Sequence, residues 1–242
     1  MILREAIILA GGLGTRLRSA VPDLPKCMAP VNGRPFMTHV IDYFRAQGIE
    51  KFVFSLGYKH EVIEQYLGTQ YSYPGHTPAD FSYVVESAPL GTGGAIQAAC
   101  QAVTEENVLV LNGDTLFKVR PAELGRFHES RRAACTLALK PMQDFDRYGV
   151  VTLRGDGSVR AFKEKQHYTE GLINGGVYVL ATDRLLATGL PERFSFEKDY
   201  LEQHLDEAAG NPAIYGLVQD AYFIDIGIPA DYERAQRELP AV

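Results

Sequence analysis

Short apolar runs alternate with amphipathic stretches through the first half of the chain. Four runs are bounded by Gly or charged residues, as buried β-strands often are: AIILA (6–10), KFVFSLGY (51–58), FSYVVE (81–86) and NVLVLNGD (107–114). Between them, apolar residues recur at helical spacing, which predicts helices over 35–48, 60–68 and 93–103. Such an alternation of strands and helices predicts a parallel sheet with helices on both faces.

The pattern changes after residue 134, where strand signals predominate. Strands are predicted at CTLALKPM (135–142), in a hairpin over 148–165, at GGVYVLA (175–181) and at AYFIDIG (221–227). A last helix is predicted over 227–240, and it packs either on the protein's own sheet or against a partner subunit. We therefore expect an α/β fold with a mostly parallel, mixed central sheet flanked by helices.

No Pro-rich or Ser-rich linker divides the chain, so we expect a single domain over residues 1–242. Because the parallel pattern ends near residue 134, we expect two functional halves. The N-terminal half, about residues 1–134, would bind a nucleotide. The C-terminal half, about residues 135–242, would bind the second substrate.

Composition limits the classes of function. The 242 residues are 46% hydrophobic and 22% charged, with a net charge of −6, which is typical of a soluble globular protein. The acidic charge argues against nucleic-acid or membrane binding, so any phosphate site must be a local positive pocket. We expect no transmembrane helix and no signal peptide. Cys27, Cys100 and Cys135 form no C-x-x-C pair, which favours a cytoplasmic location and no structural zinc.

The loop LAGGLGTRLRSAVPDLPKCMAP (9–30) follows the first strand and is the strongest candidate for a phosphate site. Glycines allow backbone N–H groups to approach a phosphate closely. The spacing fits neither a P-loop nor the dinucleotide fingerprint, because Arg16 and Leu17 stand where those motifs need glycine or alanine. The loop does offer two cations, Arg16 and Lys26, which suit a polyphosphate. A solvated loop with ordinary charges is the alternative.

Two aspartates end apolar strands. Asp114 closes NVLVLNGD, and Asp225 stands in FIDIG. Ligands of open α/β sheets bind outside the carboxyl ends of the parallel strands, and Mg²⁺ often binds one or two carboxylates together with substrate phosphates. The pair therefore predicts a Mg²⁺ site, whereas capping of a turn or helix is the alternative for each residue.

Three further segments offer binding groups. Glu86 and PLGTGG (89–94) follow the third strand and are predicted to lie near a base, or else to form a tight turn with Thr92 as a helix N-cap. In FKEKQ, the alternation of side chains along a strand places Lys163 and Lys165 on one face and Glu164 on the other. These residues belong either to a binding site or to a charged edge of the sheet. Asn174 in NGGVYVL suits a sugar hydroxyl or simply a turn.

Taken in order, these motifs resemble the sugar-1-phosphate nucleotidylyltransferase family over nearly the whole chain. The matching segments are LAGGLGTRL followed by PK, then PLGTGGAI, NGD, YGVV, EK, NGGVYVL and IDIG. Within that family, PKCMAPVNGRPF and FIDIGIPADYERAQ are similar to the heptose 1-phosphate guanylyltransferase group. Gln166 departs from the pattern, because relatives often carry Pro after the Glu-Lys pair.

The resemblance implies a Rossmann-like, glycosyltransferase-A-like nucleotidyltransferase fold and a specific reaction. The phosphate of a sugar 1-phosphate would attack the α-phosphorus of a nucleoside triphosphate in line, with release of pyrophosphate. For this chain the implied substrates are GTP and D-glycero-α-D-manno-heptose 1-phosphate. A cytidylyl- or uridylyltransferase acting on a hexose 1-phosphate or another phosphorylated small molecule is the alternative. A non-catalytic nucleotide-sugar-binding protein is a third possibility.

The resemblance also implies a role for each candidate residue. Arg16 would hold the triphosphate, Lys26 would neutralise phosphate charge, and Asp114 with Asp225 would hold Mg²⁺. The implied nucleotide-binding residues are Leu9, Gly11, Gly12, Gly14, Thr15, Glu86, Gly91 and Thr92. The implied sugar-phosphate residues are Gly149, Glu164, Lys165 and Asn174, with Lys165 on the phosphate and Glu164 on sugar hydroxyls. A homo-oligomer is compatible with the sequence.

Overall fold

A nine-stranded mixed sheet forms the centre of the computed structural model, which describes residues 1–12, 17, 21–71, 79–205 and 213–240. The strands are β1 (Glu5–Leu9), β2 (Pro30–Val31), β3 (Arg34–Pro35), β4 (Lys51–Leu56), β5 (Asp80–Val85), β6 (Asn107–Asn112), β7 (Thr115–Phe117), β8 (Cys135–Phe145), β9 (Val150–Leu153), β10 (Val159–Lys163), β11 (Tyr168–Ala181), β12 (Ile214–Val218) and β13 (Phe223–Asp225). The helices are α1 (Phe36–Ala46), α2 (His60–Thr69), α3 (Gly91–Cys100), α4 (Pro121–Arg131), α5 (Thr182–Leu186) and α6 (Pro229–Glu238). Two 3₁₀ turns (Lys26–Met28, Glu202–His204) and a π-helix (Phe196–Leu201) complete the described elements.

The order of strands divides the sheet into a parallel and an antiparallel part. Strands β5, β4, β1 and β6 lie side by side and run parallel. Strand β11 then pairs antiparallel with β6, β8 and β9, and β12 extends the sheet by pairing with β8. The prediction of a mostly parallel, mixed sheet flanked by helices is therefore confirmed. The division into a nucleotide half and a substrate half stays a prediction.

A bulge in β11 lies at the junction of the two parts. The pairing of β11 with β8 shifts register between Asn174 and Tyr178. Before the shift, Ile173 pairs with Val150 of β9, and after it, Val177 pairs with Leu111 of β6. One long strand thus reaches both parts of the sheet.

Both faces of the inner parallel strands β4, β1 and β6 are buried, whereas the outermost strand β5 is only partly buried. Ile8 of β1 packs in the same cluster as Phe44 of α1, whereas Ile7 packs on the opposite face with Ile96 of α3. A strand covered on both sides has no solvated face. This explains why the first-half strands appear as continuous apolar runs rather than as alternating patterns.

The differences from the predicted elements have local causes. The prediction for 175–181 covers only the end of β11, because the first part, YTEGLIN, is mostly polar or small. Helix α4, with the sequence PAELGRFHESR, has too few apolar residues to give a periodic signal. Strand β12 is interrupted by Gly216, and short elements such as β2, β3 and the π-helix are below the length that periodicity detects.

The terminal helix packs on its own chain. Tyr232 Oη and Gln236 Nε2 both donate to the Pro30 carbonyl, at 2.5 and 2.6 Å, and Asn32 Nδ2 donates to the Leu239 carbonyl at 2.7 Å. These contacts bind α6 to the β2–β3 hairpin of the same chain, which is separate from the nine-stranded sheet. A homo-oligomer stays a prediction. No helix within the described ranges combines the length and apolarity that crossing a membrane requires.

Buried His128 makes the stability of the fold dependent on pH. Its Nε2 lies 3.0 Å from Asn107 Oδ1 and its Nδ1 lies 2.9 Å from Thr136 Oγ1, so a neutral ring that donates to Asn107 satisfies both contacts. Burial, with a smaller contribution from the charge of Arg184, lowers the pKa of His128 to about 4. The unfolded chain takes up the same proton near pH 6.5. Between these values the unfolded state binds more protons, so the free energy of unfolding falls as the pH drops.

We predict that His128→Gln reduces this pH dependence. Between pH 7 and pH 5, wild type should lose about 2 kcal/mol more of its unfolding free energy than the variant, because glutamine takes up no proton. Urea unfolding of both proteins at the two pH values measures the difference. If both proteins lost the same amount of unfolding free energy, His128 would not contribute to the pH dependence of stability.

Candidate active site

Three charged side chains from distant parts of the chain meet at one edge of the sheet. Lys26 Nζ lies 2.5 Å from Asp114 Oδ2 and 3.3 Å from Asp225 Oδ1. Lys26 begins the 3₁₀ turn after Pro25, Asp114 lies in the turn between β6 and β7, and Asp225 ends β13. The structure thus brings together three of the four predicted catalytic residues. The fourth, Arg16, lies outside the described residues.

The pairing of β7 with β13 places the second aspartate. Thr115 of β7 is the register partner of Asp225, which puts Asp225 beside Asp114. The backbone N–H of Ile226 donates to the Asp114 carbonyl at 3.1 Å and closes the contact. The two carboxylates are therefore neighbours because of a backbone pairing, whatever their side chains bind.

Neutral and cationic groups orient the carboxylates. Asp225 Oδ1 accepts from the Gly227 N–H at 2.8 Å, and Asp225 Oδ2 lies 3.4 Å from Tyr148 Oη and 3.8 Å from the guanidinium of Arg147. Burial, followed by the charge of Asp225, raises the pKa of Tyr148, so that its hydroxyl stays a neutral donor at physiological pH. The YGVV motif pointed only to Gly149, and the contacts of Arg147 and Tyr148 with Asp225 were not predicted.

Asp114 and Asp225 form a set of oxygens that fits Mg²⁺. Both carboxylates converge on one cationic group, the Lys26 ammonium, and Mg²⁺ prefers oxygen ligands of this kind. Within the described ranges, no group of three or more His, Cys, Asp or Glu residues is placed to hold a metal. A metal at the aspartate pair would therefore take its other ligands from substrate phosphates and water.

Two connected cavities open beside these charges. The smaller, about 340 Å³, is lined by Lys26, Asp114, Asp225 and their neighbours, and the larger is about 580 Å³. The larger cavity is lined by Leu9, Gly11, Gly12, Ser55, Gly57, Tyr58, Glu86, Ser87, Ala88, Pro89, Gly91, Thr92, Ala95, Asn112 and Asp114. Leu9, Gly12, Asn112 and Asp114 line both, so the cavities are continuous. A charged compartment thus adjoins a wider, more apolar one.

The predicted nucleotide residues that are described line this space. Leu9, Gly11, Gly12, Glu86, Gly91 and Thr92 all face the larger cavity, and Gly14 and Thr15 lie outside the described residues. Glu86 also holds its own loop in place. Its Oε1 accepts from Ser55 Oγ at 3.3 Å, and its Oε2 accepts from the Leu90 N–H at 3.0 Å.

The predicted sugar-phosphate residues do not line either cavity. A Cβ on Gly149 would lie 2.4 Å from the Lys163 carbonyl, so only glycine fits at that position. Glu164 and Lys165 are exposed just after β10, and the Glu164 carbonyl accepts from Tyr168 Oη at 3.0 Å. Asn174 lies in the β11 bulge. The assignment of these four residues to the sugar stays a prediction.

The glycines of PLGTGG have a packing role that the sequence did not indicate. Gly91 has φ +73°, and a Cβ on Gly94 would lie 2.1 Å from the Glu192 carbonyl. The glycine run therefore lets residues 192–196 pack directly on the start of α3. Thr92 is not an N-cap, because α3 begins at Gly91 and Thr92 Oγ1 accepts from the Phe196 N–H at 3.0 Å.

Comparison with known proteins identifies the family. Residues 5–241 match the nucleotidyl transferase family. The chain belongs to this family.

Individual relatives of this nucleotidyl transferase cover almost its full length. It is 50% identical to the D-glycero-α-D-manno-heptose 1-phosphate guanylyltransferase of Aneurinibacillus thermoaerophilus, over 97% of this chain and 98% of the relative. The enzyme of the same name from Campylobacter jejuni is 42% identical, over 94% of this chain and 96% of the relative. The crystal structure of HddC from Yersinia pseudotuberculosis complexed with GMP-PN superposes with a TM-score of 0.82 at 32% identity, covering 98% of this chain and 100% of that one.

We predict that Gly94→Ala destabilises this nucleotidyl transferase by about 2 kcal/mol, because the new methyl group overlaps the Glu192 carbonyl. Gly68→Ala in α2 is the matched control, since nothing lies within 4 Å of its Cβ position. The control should gain up to about 1 kcal/mol from helix propensity. Urea unfolding measures both changes. Equal effects of the two substitutions would contradict the packing role of Gly94.

Proposed function

We propose that the protein transfers GMP from GTP to D-glycero-α-D-manno-heptose 1-phosphate, giving GDP-heptose and pyrophosphate. The observation that carries the proposal is the contact of Lys26 with both Asp114 and Asp225 in a cleft at the carboxyl ends of β1 and β6. That edge is where open α/β sheets bind their ligands. The choice of GTP and heptose 1-phosphate rests on relatives that carry this activity in their names.

The reaction requires positioning and charge neutralisation rather than a covalent intermediate. A phosphate monoester is largely ionised near neutral pH, so the attacking oxygen needs no strong general base. The protein must hold two anions in line and stabilise the charge that develops on the transferred phosphorus. In this proposal Lys26 pairs with a substrate phosphate, and Arg16 holds the triphosphate from the Gly-rich loop.

We propose Mg²⁺ as the metal, held by Asp114 and Asp225. When bound there, it would neutralise negative charge on the reacting phosphates. Since the same two carboxylates contact the Lys26 ammonium, metal and lysine compete for them. Lys26 would then pair with a phosphate oxygen of the substrate.

The remaining residues divide between the two substrates. We propose Leu9, Gly11, Gly12, Gly14, Thr15, Glu86, Gly91 and Thr92 for the nucleotide, with Lys165 on the sugar phosphate, Glu164 and Gly149 at the sugar, and Asn174 as a supporting residue of the sugar side. The adjoining 580 Å³ cavity supports the nucleotide set, because apolar Leu9 and Ala95 offer a surface for a flat base. A cytoplasmic location is part of the proposal and is supported by three free, buried cysteines.

A pyrophosphate-release assay tests the substrates. It crosses GTP, CTP, UTP, ATP and dTTP with the 1-phosphates of heptose, mannose and glucose, with and without Mg²⁺. We expect turnover with GTP and the heptose in the presence of Mg²⁺. Turnover with a different pair would keep the reaction and overturn the proposed base or sugar, whereas no turnover with any pair would overturn the proposal.

We predict that Asp225→Asn lowers kcat by about 100-fold or more and raises the Mg²⁺ concentration needed for half-maximal activity, since loss of even an outer-shell partner at a metal site costs about 10- to 100-fold. Asp220→Asn is the control, because Asp220 is exposed and pairs with Lys140 away from the cavities. Initial rates across a Mg²⁺ titration measure the effect. A Mg²⁺ dependence that matches wild type would remove Asp225 from the metal site.

A further inference from the structure

Asn174 has both of its amide hydrogens committed within the protein. Its Nδ2 donates to Tyr178 Oη at 2.8 Å and to Glu197 Oε1 at 3.2 Å, and its Oδ1 accepts from the Gly176 N–H at 3.1 Å. An amide nitrogen has two donors, and both are used here. The residue expected at the sugar therefore acts as a support, and the polar group that it holds is the carboxylate of Glu197.

The backbone that carries Glu197 is fixed by packing on both sides. Phe196 and Tyr200 are almost fully buried and stack with ring centroids 5.2 Å apart. Before them, the Ser195 N–H donates to Asp199 Oδ2 at 2.7 Å and the Phe196 N–H donates to Thr92. Residues 196–201 form a π-helix, a rare element that is frequent at functional sites. The exposed Glu197 side chain thus starts from a rigid position.

Two contacts connect Glu197 to residues of the cleft. Its neighbour Phe196 is bonded to Thr92, which lines the larger cavity. Its partner Asn174 begins the β11 bulge, where a Cβ on Gly176 would lie 2.4 Å from Nδ2 of Asn112. Asn112 lines both cavities. Glu197 itself lines neither cavity, but it is connected to one wall of the cleft through Phe196 and to another through Asn174.

The carboxylate of Glu197 has unused acceptor capacity. Within the described part of the chain, Asn174 is the one hydrogen-bond donor to its side chain, and no described cation pairs with it. Burial first, and the charge of Glu197 second, raise the pKa of Tyr178, which keeps the supporting hydroxyl protonated. An ionised carboxylate accepts through two oxygens, so it matches ligand hydroxyl groups, which donate.

We infer that Glu197 is a specificity-determining residue that accepts hydrogen bonds from hydroxyl groups of the acceptor sugar. The inference rests on the proposed function, because it takes the sugar 1-phosphate as the second substrate. Asn174 is then a positioning residue that orients the carboxylate. A sugar without a hydroxyl group near Glu197 leaves the carboxylate without a hydrogen-bond donor. Such a sugar should bind more weakly, and Glu197 would in this way discriminate between acceptors.

The test compares Glu197→Gln with wild type. Glutamine keeps an oxygen for the Asn174 contact but removes the charge and one acceptor, so the local structure should persist. We expect KM for the sugar 1-phosphate to rise about 10-fold or more, with KM for GTP and Tm unchanged. Glu202→Gln, an exposed glutamate of the following 3₁₀ turn, is the matched control and should behave as wild type.

A second comparison separates sugar contact from a structural effect. Wild type and Glu197→Gln are assayed with a series of monodeoxy analogues of D-glycero-α-D-manno-heptose 1-phosphate. If Glu197 accepts a hydrogen bond from a sugar hydroxyl, the analogue that lacks this hydroxyl should have the same KM with both proteins. We expect this result at one or two ring positions. A difference that persists for every deoxy sugar, or parallel increases in KM for sugar and GTP, would overturn the inference.

Calorimetric binding of the heptose, mannose and glucose 1-phosphates to both proteins distinguishes the two proposals. If wild type turns over the heptose 1-phosphate and Glu197→Gln binds it and turns it over equally well, the inference about Glu197 fails and the proposed function stands. If wild type neither binds nor turns over any of the three, both fail. If wild type binds a sugar phosphate without any turnover and the variant binds it more weakly, the proposed function alone fails.

Discussion

A single ammonium group shared by two carboxylates connects three distant parts of the chain. Lys26 follows the first strand, Asp114 follows β6, and Asp225 ends β13 near the C-terminal helix. The side chains are only partly exposed, at 16%, 33% and 21%, so each charge has lost part of its hydration. Two carboxylates this close repel each other unless a cation lies between them. The site must therefore always contain a positive charge, whether a lysine or a metal.

The rest of the architecture serves to bring these groups to one edge. The parallel part of the sheet places the carboxyl ends of β1 and β6 side by side, next to Lys26 and Asp114. The antiparallel pair β7–β13 supplies the second carboxylate, and Arg147 connects it further to Asp231 of α6. Helix α6 is itself bonded to the β2–β3 hairpin, close in sequence to Lys26. The charged cluster is thus supported on both sides by elements that contact each other.

The sequence predicted those features that depend on local pattern or on short motifs. Buried strands such as β1 and β6 were evident because both faces are covered, and Asp114 and Asp225 were evident because a charge follows an apolar run. What could not be predicted depends on contacts between distant residues. The packing of 192–196 on the α3 glycines joins positions about a hundred residues apart, and the contact of Arg147 with Asp225 depends on where a loop folds. Neither leaves a periodic signal.

Residues 192–196 have a consequence for how such an enzyme could change its substrates during evolution. The larger cavity is lined in part by α3 and the loop after β5, whereas the bulge that holds Asn174 belongs to the other part of the sheet. If nothing joined them, each could vary independently, and new pairs of nucleotide and sugar would arise by separate steps. Here the same short segment bonds to Thr92 on one side and continues into Glu197 on the other. A substitution in this segment therefore reaches the larger cavity through Thr92 and the β11 bulge through Asn174, which under the proposed function couples a change of acceptor to the nucleotide.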